Sequence, residues 1–225
     1  MVIHPPVLFL GFASTIIPFG FAYAGLINKD HTWTKSSISW ASFSAAVLGT
    51  GIMMGAAWAY ESLSFGGYWA WDPVENASLV PWLILVAGLH TNLIYKSTGY
   101  SLRSNYIFYA ASFIFILYST FLTRTGILGD TSVHAFTGAD MTGQLYLFLN
   151  IFIWIAAFFA TNTTKEKWLT VGFFVALNAL IFTHPVFGFI SAVGGFMLYI
   201  YLLNKHVPSI HKEESTYSRE FWMFI

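Results

Sequence analysis

The chain contains no cysteine, which excludes disulfides, thiolate metal sites and thiol nucleophiles supplied by its own residues. Charge is scarce as well: Asp, Glu, Lys and Arg make up 9% of residues, against about 25% in a typical soluble domain. The 10 basic and 10 acidic residues cancel, so the balance gives no case for nucleic acid, and charge is informative through its placement. Neither a Gly-rich phosphate loop nor a nucleophile–base constellation is visible, and no basic n-region precedes the first apolar run after Met1-Val2-Ile3-His4-Pro5-Pro6. That run is expected to remain as a membrane span. What abounds is apolar: 56% of residues are hydrophobic and 20% are Phe, Trp or Tyr, the composition of an integral membrane protein.

Apolar stretches of about 17–25 residues mark spans, and seven are expected, near 5–27, 38–60, 77–95, 106–123, 144–161, 168–183 and 186–203. His184-Pro185 separates the last two. One unbroken helix over residues 168–203 would stretch about 54 Å, so a reversal at His184-Pro185 is expected instead. Alternating barrel strands are absent, and open sheet edges are excluded from lipid. The fold class is therefore all-α, a polytopic transmembrane helix bundle. Lys29, Lys35, Lys96, Arg103, Lys165, Lys167, Lys205, Lys212 and Arg219 fall on one side of this arrangement and only Arg124 on the other. The positive-inside rule makes the basic side cytoplasmic and sends the N-terminus, the tryptophan-rich loop, the segment from Arg124 to Gly143 and His184 outward.

The outward segment Phe65-Gly66-Gly67-Tyr68-Trp69-Ala70-Trp71-Asp72-Pro73-Val74-Glu75-Asn76-Ala77-Ser78 is too aromatic to be solvated and too polar to cross a bilayer. Trp and Tyr suit the lipid boundary and also suit stacking on a planar ligand. An aromatic belt needs no paired glycines and no Trp-x-Trp-Asp-Pro order, so the ligand reading is preferred. Asp72-Pro73-Val74-Glu75 has helix-capping spacing, with Asp72 at the N-cap, Pro73 at the first helical position and Glu75 at the third. Those acids are assigned to structure first. Pro81 is expected to bend the helix near its start. Gly51 and Gly55 in the second span form a Gly-x-x-x-Gly pair that permits close helix packing.

The histidines sort by depth. His4 and His134 fall on the same side as the aromatic loop, and two neutral imidazoles there would suit axial ligation of a planar iron macrocycle. A solvated or capping role is the alternative for each. His90 lies within the third span, about 20 Å along the helix from Ala77, so it serves a separate site or makes a hydrogen bond to a neighbouring helix. His31, His206 and His211 are expected to be solvated. Arg124 suits either a carboxylate of a ligand or a snorkelling interface anchor.

The run Gly66-Gly67-Tyr68-Trp69-Ala70-Trp71-Asp72-Pro73-Val74-Glu75-Asn76-Ala77-Ser78-Leu79-Val80-Pro81-Trp82 resembles the WWD signature of the haem-handling cytochrome c assembly family, and its continuation resembles the CcmF branch more than CcmC or CcsA. His4-Pro5-Pro6, Leu122-Thr123-Arg124-Thr125-Gly126-Ile127-Leu128, Ser132-Val133-His134-Ala135-Phe136 and Ser218-Arg219-Glu220-Phe221-Trp222 agree in order. The resemblance implies a cytochrome c haem lyase that binds haem b at the outer face of the bacterial inner membrane. It implies His4 and His134 as axial ligands and His90 as ligand of a second, intramembrane b haem. Around the outer haem it groups Gly66, Gly67, Tyr68, Trp69, Trp71, Asp72, Trp82 and Arg124. The implied reaction joins haem vinyl groups to a Cys-x-x-Cys-His segment of apocytochrome c. The implied partners are a haem chaperone or donor and other cytochrome c maturation subunits, with membrane lipid around the bundle.

Residues 1–161 are then expected to form the WWD core, and 162–225 an additional helical hairpin with the start of a following span. The pair of spans around His184 departs from the usual pattern, and the chain reads as a fragment of a longer protein. A haem exporter without ligation activity is the alternative, and a subunit using its tryptophans only as an anchor is a third.

Overall fold

The computed structural model describes residues 2–62, 67–132 and 141–207. Gly66, His134 and His211, and the match at residues 218–222, lie outside the described residues. Every regular element among the described residues is helical: α1 (His4–Ser14), α2 (Ile16–Asn28), α3 (Trp33–Ser62), α4 (Pro73–Thr98), α5 (Leu102–Arg124), α6 (Thr142–Phe159), α7 (Thr164–Asn178) and α8 (Val186–His206), with a short 3-10 turn at Gly129–Thr131. Helix satisfies the backbone within the segment, as a bilayer requires.

Among the described residues six segments are long and apolar enough to cross a membrane: α1 and α2 taken together, α3, α4, α5, α6 and α8. The expected span at 168–183 differs. It is α7, whose 15 residues reach only about 22 Å, short of a hydrocarbon core of about 30 Å. The reversal at His184-Pro185 is present: α7 and α8 are separate helices, and Glu166 at the start of α7 meets Lys205 Nζ (2.6 Å) and His206 Nε2 (3.0 Å) at the end of α8. Their pairing puts Lys205 at the same end of the bundle as Lys165 and Lys167.

The break between α1 and α2 has a local cause. Pro18 cannot donate to the carbonyl of Ser14, and its ring crowds that carbonyl. The hydroxyls of Ser14 and Thr15 turn back to donate to Gly11 O and Phe12 O, a pattern that bends helices. At Pro81, by contrast, α4 continues, and the Pro81 carbonyl accepts from Ser112 Oγ of α5 at 3.2 Å.

Helix α5 is the centre. Every residue from Ser104 to Ile114 is buried, as expected of a helix surrounded on all sides. Phe19, Leu85, Tyr106, Tyr109, Leu149, Ile153, Tyr199 and Leu203 share one core that spans α2 to α8. Polar side chains join the helices inside it. Asn92 Nδ2 donates to Thr34 O (3.0 Å), Thr91 Oγ1 to Asn105 Oδ1 (2.6 Å) and Tyr199 OH to Tyr106 O (3.0 Å). Such bonds hold membrane helices together where apolar contact with lipid is no worse than contact with protein.

Two histidines expected to be solvated are not. His31 lies within 3.0 Å of Tyr106 OH, and burial pushes its pKa down; His206 bonds Glu166. In each case a chain-distant partner comes within reach only on folding.

Candidate functional site

Helices α1, α3 and α5, the first turns of α4 and the segment leading into it enclose a cavity of about 280 Å³ at the end of the bundle opposite Lys205. Its walls are mainly apolar and aromatic, from Leu8, Phe9 and Phe12 of α1, Ile52 and Trp58 of α3, and Trp69. Its polar groups are few: His4, Glu75, Ser78, Ser119, Thr120, Thr123 and Arg124. Apolar walls with a few placed polar groups are the usual make-up of a small-molecule site, although this volume lies just below the usual range of about 300–1,000 Å³.

His4 opens α1 and is partly buried. Its Nδ1 lies 2.9 Å from Gly51 O. A carbonyl only accepts, so Nδ1 carries the proton and donates, and in the neutral ring Nε2 keeps its lone pair. The Gly-x-x-x-Gly pair makes this possible. A Cβ on Gly51 would fall 2.8 Å from Leu8 Cα, and one on Gly55 would fall 2.7 Å from His4 Cε1. Gly11 presses as closely from the other side, where a Cβ would meet Leu48 Cα at 2.6 Å. Three glycines thus let α1 lie on α3 with the imidazole seated over Gly55.

Asp72 caps α4 as its spacing predicts. Oδ2 accepts from Val74 N (2.9 Å) and Glu75 N (3.3 Å), and Pro73 occupies the first turn. Glu75 reaches back to Ala70 N (3.1 Å) rather than to the cap residue itself, so the cap also folds the Trp69 segment onto the helix. The same Asp72 oxygen accepts from Ser132 Oγ at 2.9 Å. Ser132 stands two residues before His134 in sequence, and this bond ties Ser132 itself to the start of α4.

The structure divides the other expected site residues. Trp69 lines the cavity and packs against the small buried cluster of Leu48, Ile52 and Ile116; its Nε1 is buried without a partner among the described residues. Arg124 ends α5 at the cavity wall. Trp71 does not reach the cavity. It is 74% exposed, and its φ of 58° is left-handed, which is costly for a bulky residue. Tyr68 stacks on Tyr60, ring centroids 4.3 Å apart, outside the cavity, and Gly67 has open space around it. Trp82 braces α4 on α3, with Nε1 donating to Ala45 O at 2.8 Å and its ring over Gly49.

His90 is exposed on the outside of α4. Its Nδ1 lies 2.8 Å from Val86 O of the same helix and donates to it. It stands about 27 Å along α4 from Asp72.

Several cavity residues carried no sequence expectation: Phe9, Phe12, Trp58 and the polar edge Ser119, Thr120 and Thr123 of α5. The polar edge had a signal in the Thr123-Arg124 match, since positions 119, 120, 123 and 124 share a helical face. No group of three or more metal-ligating side chains occurs among the described residues. A bare ion would find only His4 and Glu75 among the described strong donors at the cavity, whereas a metal carried in a macrocycle needs only axial donors.

Six apolar helices with a ligand-sized cavity at one end define a polytopic helical membrane protein. Residues 1–128 match the family described as cytochrome C assembly protein, and the chain belongs to that family. It is similar to the cytochrome c-type biogenesis protein CcmF of Pseudomonas fluorescens, 37% identical over 155 residues (68% of this chain and 23% of the relative). It is also similar to CcmF of Escherichia coli (strain K12), 36% over 149 residues (65% and 22%). The cytochrome c-type biogenesis protein NrfE of Haemophilus influenzae is 36% identical over 207 residues, 90% of this chain and 30% of that protein. A solved structure titled Cytochrome c Heme Lyase CcmF aligns with a TM-score of 0.55 and 28% identity, covering 91% of this chain and 35% of that one. The chain therefore spans less than a third of the length of these curated relatives.

Proposed function

We propose that this chain is the haem-binding WWD portion of a cytochrome c haem lyase in the bacterial inner membrane, with the Trp69 segment and its cavity on the periplasmic side. The observation that carries the reading is His4: its ring is tethered by Gly51 O and seated on Gly55, which leaves Nε2 as a neutral donor beside an aromatic-walled cavity. A ligating histidine is commonly held in this way through its other nitrogen. The remaining residues fit a haem b. Phe12 and Trp69 offer apolar walls, the Trp69 N–H lacks a partner, and Arg124 suits a propionate. A group of that size would be enclosed only in part, which leaves an edge open to a protein acceptor.

His134 is the proposed second axial ligand, and Ser132, two residues before it in sequence, is bonded to Asp72 three residues from the cavity-lining Trp69 and Glu75. The chemistry that haem supplies is a pair of vinyl groups, to which the thiols of a Cys-x-x-Cys-His segment of apocytochrome c add. The work of this chain is orientation: His4 and the cavity walls hold the ring, and having no cysteine leaves the thiols to the partner. Haem would arrive from a chaperone or donor, with other maturation subunits assembled around the bundle. The periplasmic placement rests on Arg103, Lys205 and their basic neighbours lying at the opposite end. A second b haem at His90 would sit between α4 and a helix outside this chain, because His90 faces outward.

Export of haem from the basic side would require a path through the bundle, where Leu48, Leu85 and Tyr109 are fully buried. That packing favours presentation over transit. The test is an absorption spectrum of the full-length protein purified in detergent, with haem counted by pyridine extraction, for wild type, His4→Ala, His134→Ala and His90→Ala. Loss or alteration of one haem by the first two changes, and of a different haem by the third, is the expected result. Haem-free wild-type protein, or spectra indifferent to all three changes, would overturn the assignment.

A further inference from the structure

A second cavity lies on the side of the bundle, between α6 and the short helix α7. It is a groove of about 260 Å³ lined by Ile151, Trp154 and Phe158 of α6 and by Thr170, Val171 and Phe174 of α7, with Ile155 between. The lining residues fall on one face of each helix, so the groove runs for about 10 Å along α6 and about 6 Å along α7. Ile151 and Val171 are 37% and 38% exposed, and the groove is open to the membrane side.

One turn beyond Thr170 and Val171, on the same face of α7, stands Lys167. Its ammonium lies 5.7 Å from the centroid of the Phe158 ring at the groove's end. Among the described residues Lys167 has no carboxylate partner. Glu166, the acid beside it, is engaged by Lys205 and His206 and is not spare to neutralise it. Trp168, 72% exposed, marks the headgroup boundary at this level, as exposed Trp does at membrane surfaces.

We infer that this groove binds an anionic phospholipid, with an acyl chain along the α6–α7 groove and the phosphate on Lys167. An apolar slot ending in an unpaired ammonium at headgroup depth matches the two ends of that molecule. A partner helix would fill the slot and leave the lysine unanswered. The short reach of α7 agrees, since a helix of about 22 Å leaves hydrocarbon thickness beside it to be filled by lipid. Lys165, on another face of the same turn, shares the general positive field but not the groove.

The test is native mass spectrometry of the full chain in mild detergent after exposure to mixed vesicles of phosphatidylglycerol and phosphatidylcholine. Wild-type protein is expected to retain phosphatidylglycerol about fivefold over phosphatidylcholine, the ratio of one lysine near a headgroup. Lys167→Gln removes the preference, Lys165→Gln leaves it nearly intact, and Val171→Trp, which fills the groove at an outward-facing position, expels both lipids. Equal retention of the two lipids by wild type overturns the inference. Equal effects of Lys165→Gln and Lys167→Gln also overturn it, by showing only diffuse surface charge. A dimer that Val171→Trp dissociates overturns it in favour of a second copy in the groove.

Discussion

Changing Gly55 to alanine isolates the seat of His4 from the imidazole itself. The new Cβ would lie 2.7 Å from His4 Cε1, whereas carbon atoms in ordinary contact are about 3.5–4.0 Å apart. The ring must therefore retreat by about 1 Å. The bond from Nδ1 to Gly51 O is 2.9 Å long, and stretched by that amount it no longer counts as a hydrogen bond. Its loss costs about 0.5–1.5 kcal/mol, and the better helix propensity of alanine returns about 1 kcal/mol. Thermal stability should thus change little. Ligation should suffer far more, because removing the partner that orients a ligating imidazole costs about 10–100-fold in affinity. Gly20→Ala is the matched control, since a Cβ there meets nothing within 4 Å; it should stabilise by up to about 1 kcal/mol without spectral effect. The assay is haem content and the reduced-minus-oxidised spectrum of the full-length protein, with the thermal midpoint recorded beside them. If Gly55→Ala and Gly20→Ala proteins show the same haem content and spectrum, the tethered-imidazole reasoning is wrong.

Asp72→Ala should cost about 1–2 kcal/mol as a lost helix cap, whereas Ser132→Ala, which leaves the cap intact, should cost about 0.5–1.5 kcal/mol; thermal unfolding of both separates the cap from the tie to Ser132. Trp69→Phe keeps an aromatic wall but removes the buried N–H that has no partner among the described residues. Stability should hold or rise while haem retention falls, and unchanged retention would exclude a hydrogen bond from Trp69 to the ligand. The Glu166 carboxyl is held well below the usual carboxylate range, chiefly by Lys205, against a smaller opposing effect of burial and with help from Asn162 N, His206 and Thr163 N. A depressed folded-state pKa means that the stabilisation is complete above the unfolded value of about 4.3 and is lost as pH falls through the lower folded value. The α7–α8 pairing should therefore be indifferent to pH from 7 to 5 and weaken below about 4. Glu166→Gln should flatten that acid limb at a cost of under about 1 kcal/mol at neutral pH, as befits a pair exposed on the lysine side; circular dichroism against pH reads both.

Much of the bundle was legible in the sequence because its causes are local. Apolar runs of membrane length, the reversal at His184-Pro185 and the cap at Asp72-Pro73-Val74-Glu75 each depend on residues within a few positions of one another. Even the close packing at Gly51 and Gly55 was readable as a pattern, though not what lay upon it. The length of α7 was less legible, since apolar residues continue through Leu180, Ile181 and Phe182 past the last helical turn at Asn178. Hydropathy does not register where a helix stops.

The tertiary structure decided which residues share the site. His4 and Gly51 are 47 positions apart and Asp72 and Ser132 are 60 apart, so only the crossing of α1 on α3 and the return of the chain after α5 bring each pair together. Trp69 and Trp71 were equivalent in the sequence, yet one lines the cavity and the other, at φ 58°, is exposed. His90 lay at the expected depth but on the outer side of α4, a choice made by which face of that helix meets α3 and α5. Composition and spacing determine that a membrane bundle with an aromatic segment forms, because those signals act along the chain. The direction in which each side chain points is a property of helices packed on one another, and that depends on atoms the sequence keeps far apart.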